Sequence, residues 1–339
     1  MKLRPFLQRI GTGPRGSKDL SREEAREATR LILSGEVHPV EFGAFCMALR
    51  VKGEADAELI GAVEALLESC TSGVWNTERL VTTASPLDGK DRLMVVAPAA
   101  ALLAANLGAR VLVISDREVP PKKAMTPSRV FEALGFPPAS DFETAARELV
   151  TRGWSCLELG RAIPGLGRLK EWRGLLGKRP FLSTAEKLVN PARSPLMTGV
   201  LHGPVLRQMD NVLRALDYPK SLVVQGTQGS VDFKIKGPTN VCLIERDHET
   251  RTFLIDPARF GLDSPDEPPL EPPTPEGCAK WTRRALAGEI EAGRKAAVLE
   301  AGALVFLAGV APALEEGIEL ARDRWAEASV SALACAAAR

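Results

Sequence analysis

Leu20-Ser21-Arg22-Glu23-Glu24-Ala25, followed by Ser34-Gly35-Glu36-Val37 and Ala48-Leu49-Arg50-Val51-Lys52-Gly53-Glu54, is the stretch that decides the fold of this chain. Ser21 with Glu24 three residues on is a capping-box signature, and an amphipathic pattern runs from there to Leu33. Gly35 stops that helix. Pro39 opens a second one through Leu49, which Gly53 ends, and a third runs from about Ala55 to Ser69. Brief turns between short helices predict a small helical domain.

The texture changes near Val74. Leu93 to Gly108 reads as a buried helix, and Ala109 to Ile114 as a buried strand, apolar apart from Arg110. Helices are expected over Ser128–Leu134 and Phe142–Arg152, with a weak strand at Cys156–Leu159. Ser221 to Gln225 is a strong strand ending at Gly226, and Val241–Glu245 and Thr252–Ile255 can pair as later strands. Helices alternating with apolar strands predict an α/β sheet covered on both faces. Asp256 to Gly277 carries seven prolines and reads as an irregular surface segment, and the tail from Cys278 is Ala-rich and helical by composition.

At 339 residues the chain can build one large domain or two smaller ones. With 45% hydrophobic and only 5% aromatic residues, its core should be aliphatic. A net charge of +1 makes no global case for nucleic acid or membrane, so such a case must rest on local patches. The six cysteines (Cys46, Cys70, Cys156, Cys242, Cys278 and Cys335) are too scattered for a metal knuckle or redox pair, and His38, His202 and His248 have no acid or cysteine at ligand spacing. No metal site is expected. The longest apolar run, Leu93 to Leu107, is interrupted by Pro98 and Asn106 and is too short for a membrane span. Scattered thiols and no signal peptide point to a cytoplasmic protein.

The amino-terminal helices, together with Arg173, Gly177, Arg179, Asn190-Pro191-Ala192, Gly199-Val200 and Val223-Val224-Gln225-Gly226, resemble the anthranilate phosphoribosyltransferase family, which has the glycosyltransferase family 3 fold. The resemblance implies a small all-helical domain plus a larger α/β domain with a mostly parallel central sheet. It implies a helical dimerisation domain of residues 1–70 with about 162–187, an α/β domain of 71–161 with 188–339, and a site between them. The residue matching Arg173 touches anthranilate in those enzymes.

The family's catalytic signatures are missing. A Gly-Thr-Gly-Gly-Asp loop closes backbone N–H groups around a diphosphate; here the stretch is Ala84-Ser85-Pro86-Leu87-Asp88-Gly89-Lys90-Asp91, with one glycine. Ser85, Asp88, Gly89 and Lys90 are thus a degenerate diphosphate loop. Asn-x-Ser-Thr becomes Val95-Val96-Ala97-Pro98, and Lys-His-Gly-Asn becomes Ser115-Asp116-Arg117-Glu118. The Ser-rich loop becomes Pro120-Pro121-Lys122-Lys123-Ala124-Met125-Thr126, and the Asp-Glu pair that holds magnesium falls on Val231-Asp232. Ile10-Gly11-x-Gly13, Thr184-Ala185-x-Lys187-Leu188 and Gly226-Thr227-x-Gly229 resemble the YbiB-type branch of the family. That likeness implies a dimer that lacks transfer activity and binds nucleic acid.

Local charge fits that implication. Lys2, Arg4, Arg9, Arg15 and Lys18 precede any acid, and Arg161, Arg168, Lys170, Arg173, Lys178, Arg179, Lys187 and Arg193 face only Glu171 and Glu186 between Arg161 and Arg193. Lys122 and Lys123 stand in the replaced substrate loop. The expected nucleic-acid contacts are Lys122, Lys123, Arg161, Arg168, Lys170, Arg173, Lys178, Arg179 and Lys187, touching DNA or RNA phosphates with little sequence preference. Few aromatics stand near them, and the isoelectric point is only about 7.6. Phe42, Phe45, Met47 and Leu49 offer more apolar surface than one small domain needs, which predicts a homodimer.

The leading expectation is therefore a non-catalytic, dimeric nucleic-acid-binding protein without cofactor, catalytic residues or membrane partner. The alternatives are an anthranilate phosphoribosyltransferase-like glycosyltransferase with an altered substrate, which would need Mg²⁺, and a scaffold that binds another protein.

Overall fold

The computed structural model describes residues 2–13, 15–70, 75 and 77–329. Val74, Cys335 and the end of the Ala-rich tail lie outside the described residues.

Helices α1 (Arg4–Ile10), α2 (Arg22–Ser34), α3 (Pro39–Lys52) and α4 (Asp56–Glu68) form the amino-terminal bundle. The capping box is present: Ser21 Oγ accepts from the Glu24 N–H, and the Glu24 carboxylate accepts from the Ser21 N–H at 2.8 Å. Gly35 ends α2 in the left-handed region at φ 79°. A Cβ at Gly61 would lie 2.2 Å from the Arg22 carbonyl, so glycine lets α4 lie directly against α2. Sequence patterning did not anticipate α1, a short helix opened by Pro5 and anchored by buried Leu3 and Ile10.

The second unit begins with β1 (Leu80–Ala84), α5 (Ala97–Asn106), β2 (Arg110–Ser115), α6 (Pro127–Ala133), α7 (Phe142–Arg152) and β3 (Trp154–Glu158). Four short helices follow: α8 (Leu159–Ala162), α9 (Pro164–Arg168), α10 (Lys170–Leu176) and α11 (Leu182–Ala185). Then come β4 (Leu196–Gly199), α12 (Val205–Ala215), β5 (Lys220–Val224), β6 (Thr239–Glu245) and β7 (Arg251–Ile255). Helices α13 (Pro275–Leu286), α14 (Glu291–Leu307) and α15 (Leu314–Asp323) close the domain.

The strands form one sheet in the order β3-β2-β1-β4-β5-β6-β7. The first five in that order run parallel, and β6 and β7 join antiparallel. This is the expected small helical domain with a larger, mostly parallel α/β domain. Alternation along β2 sends Val111 and Val113 to one face, where α5 and α14 pack, and Leu112 and Ile114 to the other. Helix α14 is buried along most of its length, from Ala296 to Leu307.

Two central strands, β1 and β4, escaped the sequence reading. Thr82, Thr83 and Thr198 interrupt their apolar character, although all three are buried. The Thr82 hydroxyl is satisfied by Asn190 Oδ1 at 2.9 Å, which lets a polar residue sit mid-sheet. The apolar surplus read on α3 also finds a different use. Phe42 packs on Trp172 at 5.6 Å and Phe45 on Phe181 at 5.7 Å between ring centroids, so the segment after β3 covers them. What α3 leaves exposed is Val40, Met47 and Val51.

Candidate active site between the helical bundle and the sheet

The chain winds from β1 outward through β2 to β3, then returns to lay β4 on the other side of β1. Adjacent strands whose connections depart in opposite directions leave a crevice above their carboxyl ends, where doubly wound folds bind ligands. The loops after β1 and β5 and the residue Leu201 after β4 meet there. With α3 and the segment around Pro180 they enclose a cavity of about 190 Å³. Its polar walls are Arg50 and Glu54 from the bundle, Asp88 and Gln228 from the sheet loops, and Arg173, Arg179, Glu186 and Lys187 from the connection between them.

The wall cations are held from behind. Arg179 Nε donates to Asp88 Oδ2 at 2.5 Å, and Arg50 donates to the Arg179 carbonyl at 3.1 Å, tying the bundle to the connection. Arg173 is buried and forks onto Glu186, with a further bond to Ser183 Oγ at 3.1 Å. Its Nε has no partner among the described residues. Lys187 Nζ donates to the Gly199 carbonyl at 2.7 Å. Burial, and then the nearby Arg179 charge, lower the Lys187 amine to about 8, against a weaker opposing pull from Asp88. Burial raises the Glu54 carboxyl, and Arg50 opposes it. Burial likewise raises Glu186, against the attraction of Arg173.

The degenerate loop is closed on itself. The Gly89 N–H bonds the Pro86 carbonyl at 2.9 Å, and the Lys90 N–H bonds the Met125 carbonyl at 2.8 Å. The Arg92 and Leu93 N–H groups both donate to Gln228 Oε1, at 3.2 and 2.9 Å. These four amides therefore already have internal acceptors. Ser85 Oγ accepts from the Val231 N–H at 3.3 Å, behind the same loop. Gly89 adopts φ +84°, and a Cβ there would fall 2.4 Å from the Met125 carbonyl oxygen, so only glycine fits.

Below the loop, Lys90 is buried against Asp232. Its ammonium donates to that carboxylate, to the Met94 carbonyl at 2.6 Å and to Thr227 Oγ1 at 3.2 Å. Glu300, from α14, is fully buried nearby, and neither carboxyl oxygen has a partner among the described residues. Burial, and then the Asp232 charge, push its carboxyl well above the ordinary range, with Lys90 opposing. A magnesium ion does not fit this donor set: Val231 offers no side-chain oxygen, and Asp232 carries an ammonium.

Residues 4–70 match the glycosyl transferase family helical bundle domain, and residues 88–329 match the glycosyl transferase family a/b domain. The chain belongs to this family. Within the family it is 33% identical over 322 residues to the anthranilate phosphoribosyltransferase of Methylobacterium sp. (strain 4-46), covering 93% of this chain and 91% of that one. It is 30% identical to the Stutzerimonas stutzeri enzyme of the same name, covering 95% of this chain and 92% of that one. The crystal structure of anthranilate phosphoribosyltransferase from Thermus thermophilus superposes with a TM-score of 0.80 at 27% identity, over 94% of this chain and 96% of that one. The Saccharomyces cerevisiae enzyme, solved with phosphoribosyl diphosphate and Mg, shares the fold at 16% identity and a TM-score of 0.78, over 99% of this chain and 98% of that one.

These family relatives overturn the leading expectation of a non-catalytic nucleic-acid-binding protein, because the proteins matching this chain end to end carry the transferase name. The geometry supplies a physical reason why the charge reading misled. Lys170 pairs with Asp116 at 2.7 Å, Lys123 with Glu118 at 3.0 Å and Arg161 with Glu158 at 3.8 Å. Arg168 bonds the Leu33 carbonyl and Lys122 the Gly89 carbonyl, each at 2.7 Å. Arg173, Arg179 and Lys187 turn into the cleft, and Lys178 is exposed. All of these cations except Lys178 thus have an acceptor within the chain, Lys123 and Arg161 at the surface. Sequence reasoning missed Arg50, Gln228 and Glu300. A single acid within the apolar run Ala296–Leu307 was a legible signal for Glu300; Gln228 sits at the unassigned position of Gly226-Thr227-x-Gly229. Among the described residues no helix is long and apolar enough to cross a membrane.

Proposed function

We propose that this protein is a transferase of the anthranilate phosphoribosyltransferase type acting on an altered substrate, and that the cleft takes a small phosphorylated sugar. The observation that carries this reading is the convergence of Arg50, Arg179 and Lys187 on one cavity at the switch point of the sheet. Cations lining one cavity are suited to a phosphate, which each can meet with charge-assisted hydrogen bonds. Because the Gly89, Lys90, Arg92 and Leu93 amides are engaged, these side chains hold the anion. An amine that titrates at about 8 can donate a proton to a departing phosphate and take it up again near neutral pH.

Isothermal titration with phosphoribosyl diphosphate and with ribose 5-phosphate tests this reading. Binding of at least one is expected, weakened about tenfold by Arg179→Ala, which corresponds to about 1.4 kcal/mol. No heat from either, with or without magnesium, would remove the reading.

We also propose that the exposed face of α3, through Val40, Met47 and Val51, meets a second copy of the chain. Val40 and Val51 are 71% and 81% exposed and share one side of the helix with Met47, an apolar stripe left uncovered among the described residues.

A further inference from the structure

Lys90 is a loop lysine with no solvent role. It is 4% exposed, and its ammonium lies among the Met94 carbonyl, Thr227 Oγ1 and the Asp232 carboxylate. A lysine ammonium has three protons, and three oxygens receive them. Glu300 stands behind Asp232 with both carboxyl oxygens unpartnered among the described residues. An inward cluster of oxygen donors is the environment of a hard cation. Here the cation is covalently part of the chain.

The loop above follows the same logic. The Gln228 side chain, held by a backbone at φ 54°, accepts from the Arg92 and Leu93 amides and donates to Asp91 at 2.5 Å. Lys122 places a second ammonium on the Gly89 carbonyl at 2.7 Å and on Asp91 at 3.4 Å. Side chains of the protein thus occupy the Arg92 and Leu93 amides as well as oxygens of this loop.

We propose that the Lys90 ammonium is a built-in cation that takes the place of a divalent metal beneath the cleft, so that the protein binds its anionic ligand without metal. The first half stands on the Lys90 contacts alone. The second half rests on the reading of the cleft as a phosphate site. Keeping the cation in the chain fixes the charge of the site at any magnesium concentration, and it leaves Asp232 paired with or without ligand.

Manganese titration followed by electron paramagnetic resonance tests the first half on the intact protein. The wild-type chain is expected to bind no stoichiometric Mn²⁺. One Mn²⁺ per chain, lost in Asp232→Asn, would overturn the proposal. Lys90→Met is expected to create a Mn²⁺ site from the freed oxygens and to gain a melting-temperature rise of about 5 °C with saturating metal, absent in the wild type. A folded Lys90→Met chain that binds no Mn²⁺ would overturn the claim that the lysine excludes the metal. If that variant does not fold, the wild-type titration still decides the matter. For the second half, ribose 5-phosphate is titrated in EDTA and in magnesium. Equal affinities support the proposal, and a tenfold tightening by magnesium overturns it. No binding in either buffer would sink the phosphate reading of the cleft, while the manganese result would still decide the role of Lys90.

Discussion

The strands of the sheet and the loops above their carboxyl ends obey different rules. Below, β1, β2, β4 and β5 bury aliphatic side chains against α5 and α14, with leucine, valine and alanine nearly everywhere. Above, polar groups near the switch point are paired specifically: Lys90 with Asp232, Arg179 with Asp88, and Gln228 with the Arg92 and Leu93 amides. Aliphatic burial depends on area and shape and tolerates exchange of one apolar residue for another. A buried ion pair tolerates nothing of the kind, since the surviving partner is left charged in a medium that cannot solvate it. The scaffold can therefore stay constant while the loops are rewritten, provided that the loop residues change together.

The difference can be broken most directly at Asp232. Asp232→Ala should cost about 4 kcal/mol by leaving Lys90 buried and unpaired, measured as a drop in the denaturant midpoint. A loss under 1 kcal/mol would mean that the pair is dispensable. In the scaffold, Leu304→Ala on α14 should cost about 3 kcal/mol through the cavity it leaves, while Leu304→Met should be nearly silent. Gly89→Ala lies between the two regions: φ +84° and the nearby Met125 carbonyl oxygen should make it cost about 2 kcal/mol.

The cleft sharpens the comparison through pH. Lys187 titrates at about 8 in the fold against 10.5 when free, so the unfolded chain holds more protons between those values and stability rises with pH across that window. Ligand binding runs the other way, because the anion needs the protonated amine. Affinity for ribose 5-phosphate should fall as pH rises through about 8, and Lys187→Met should abolish that dependence. The smallest effect on the fold is expected at the surface. Val51→Arg should leave the melting temperature within about 1 °C of wild type yet shift the sedimentation coefficient to that of a monomer; an unchanged coefficient would exclude this face from the interface.

The two regions were also unequally legible. Caps and stops lie close together in the chain, so Ser21, Glu24, Gly35 and Pro39 announced α2 and α3 to within a few residues. The apolar run read over Ala109–Ile114 announced β2, and the later β6–β7 pair was anticipated from two short runs. β1 and β4 were not, because Thr82 and Thr198 are satisfied by partners far along the chain. The loss of the glycine-rich loop was visible residue by residue. Its meaning was not, because the lysine that fills the gap finds its carboxylate 142 positions away.

By itself the sequence determined the helical bundle, the alternation of helices and strands and the family resemblance, all of which are written in spacings of a few residues. Only the tertiary structure decided where the charges go. Electrostatic and hydrogen-bond partners are chosen by proximity in space, so a row of lysines and arginines between Arg161 and Arg193 could look like a nucleic-acid face and yet fold with most of its members on separate acceptors within the chain.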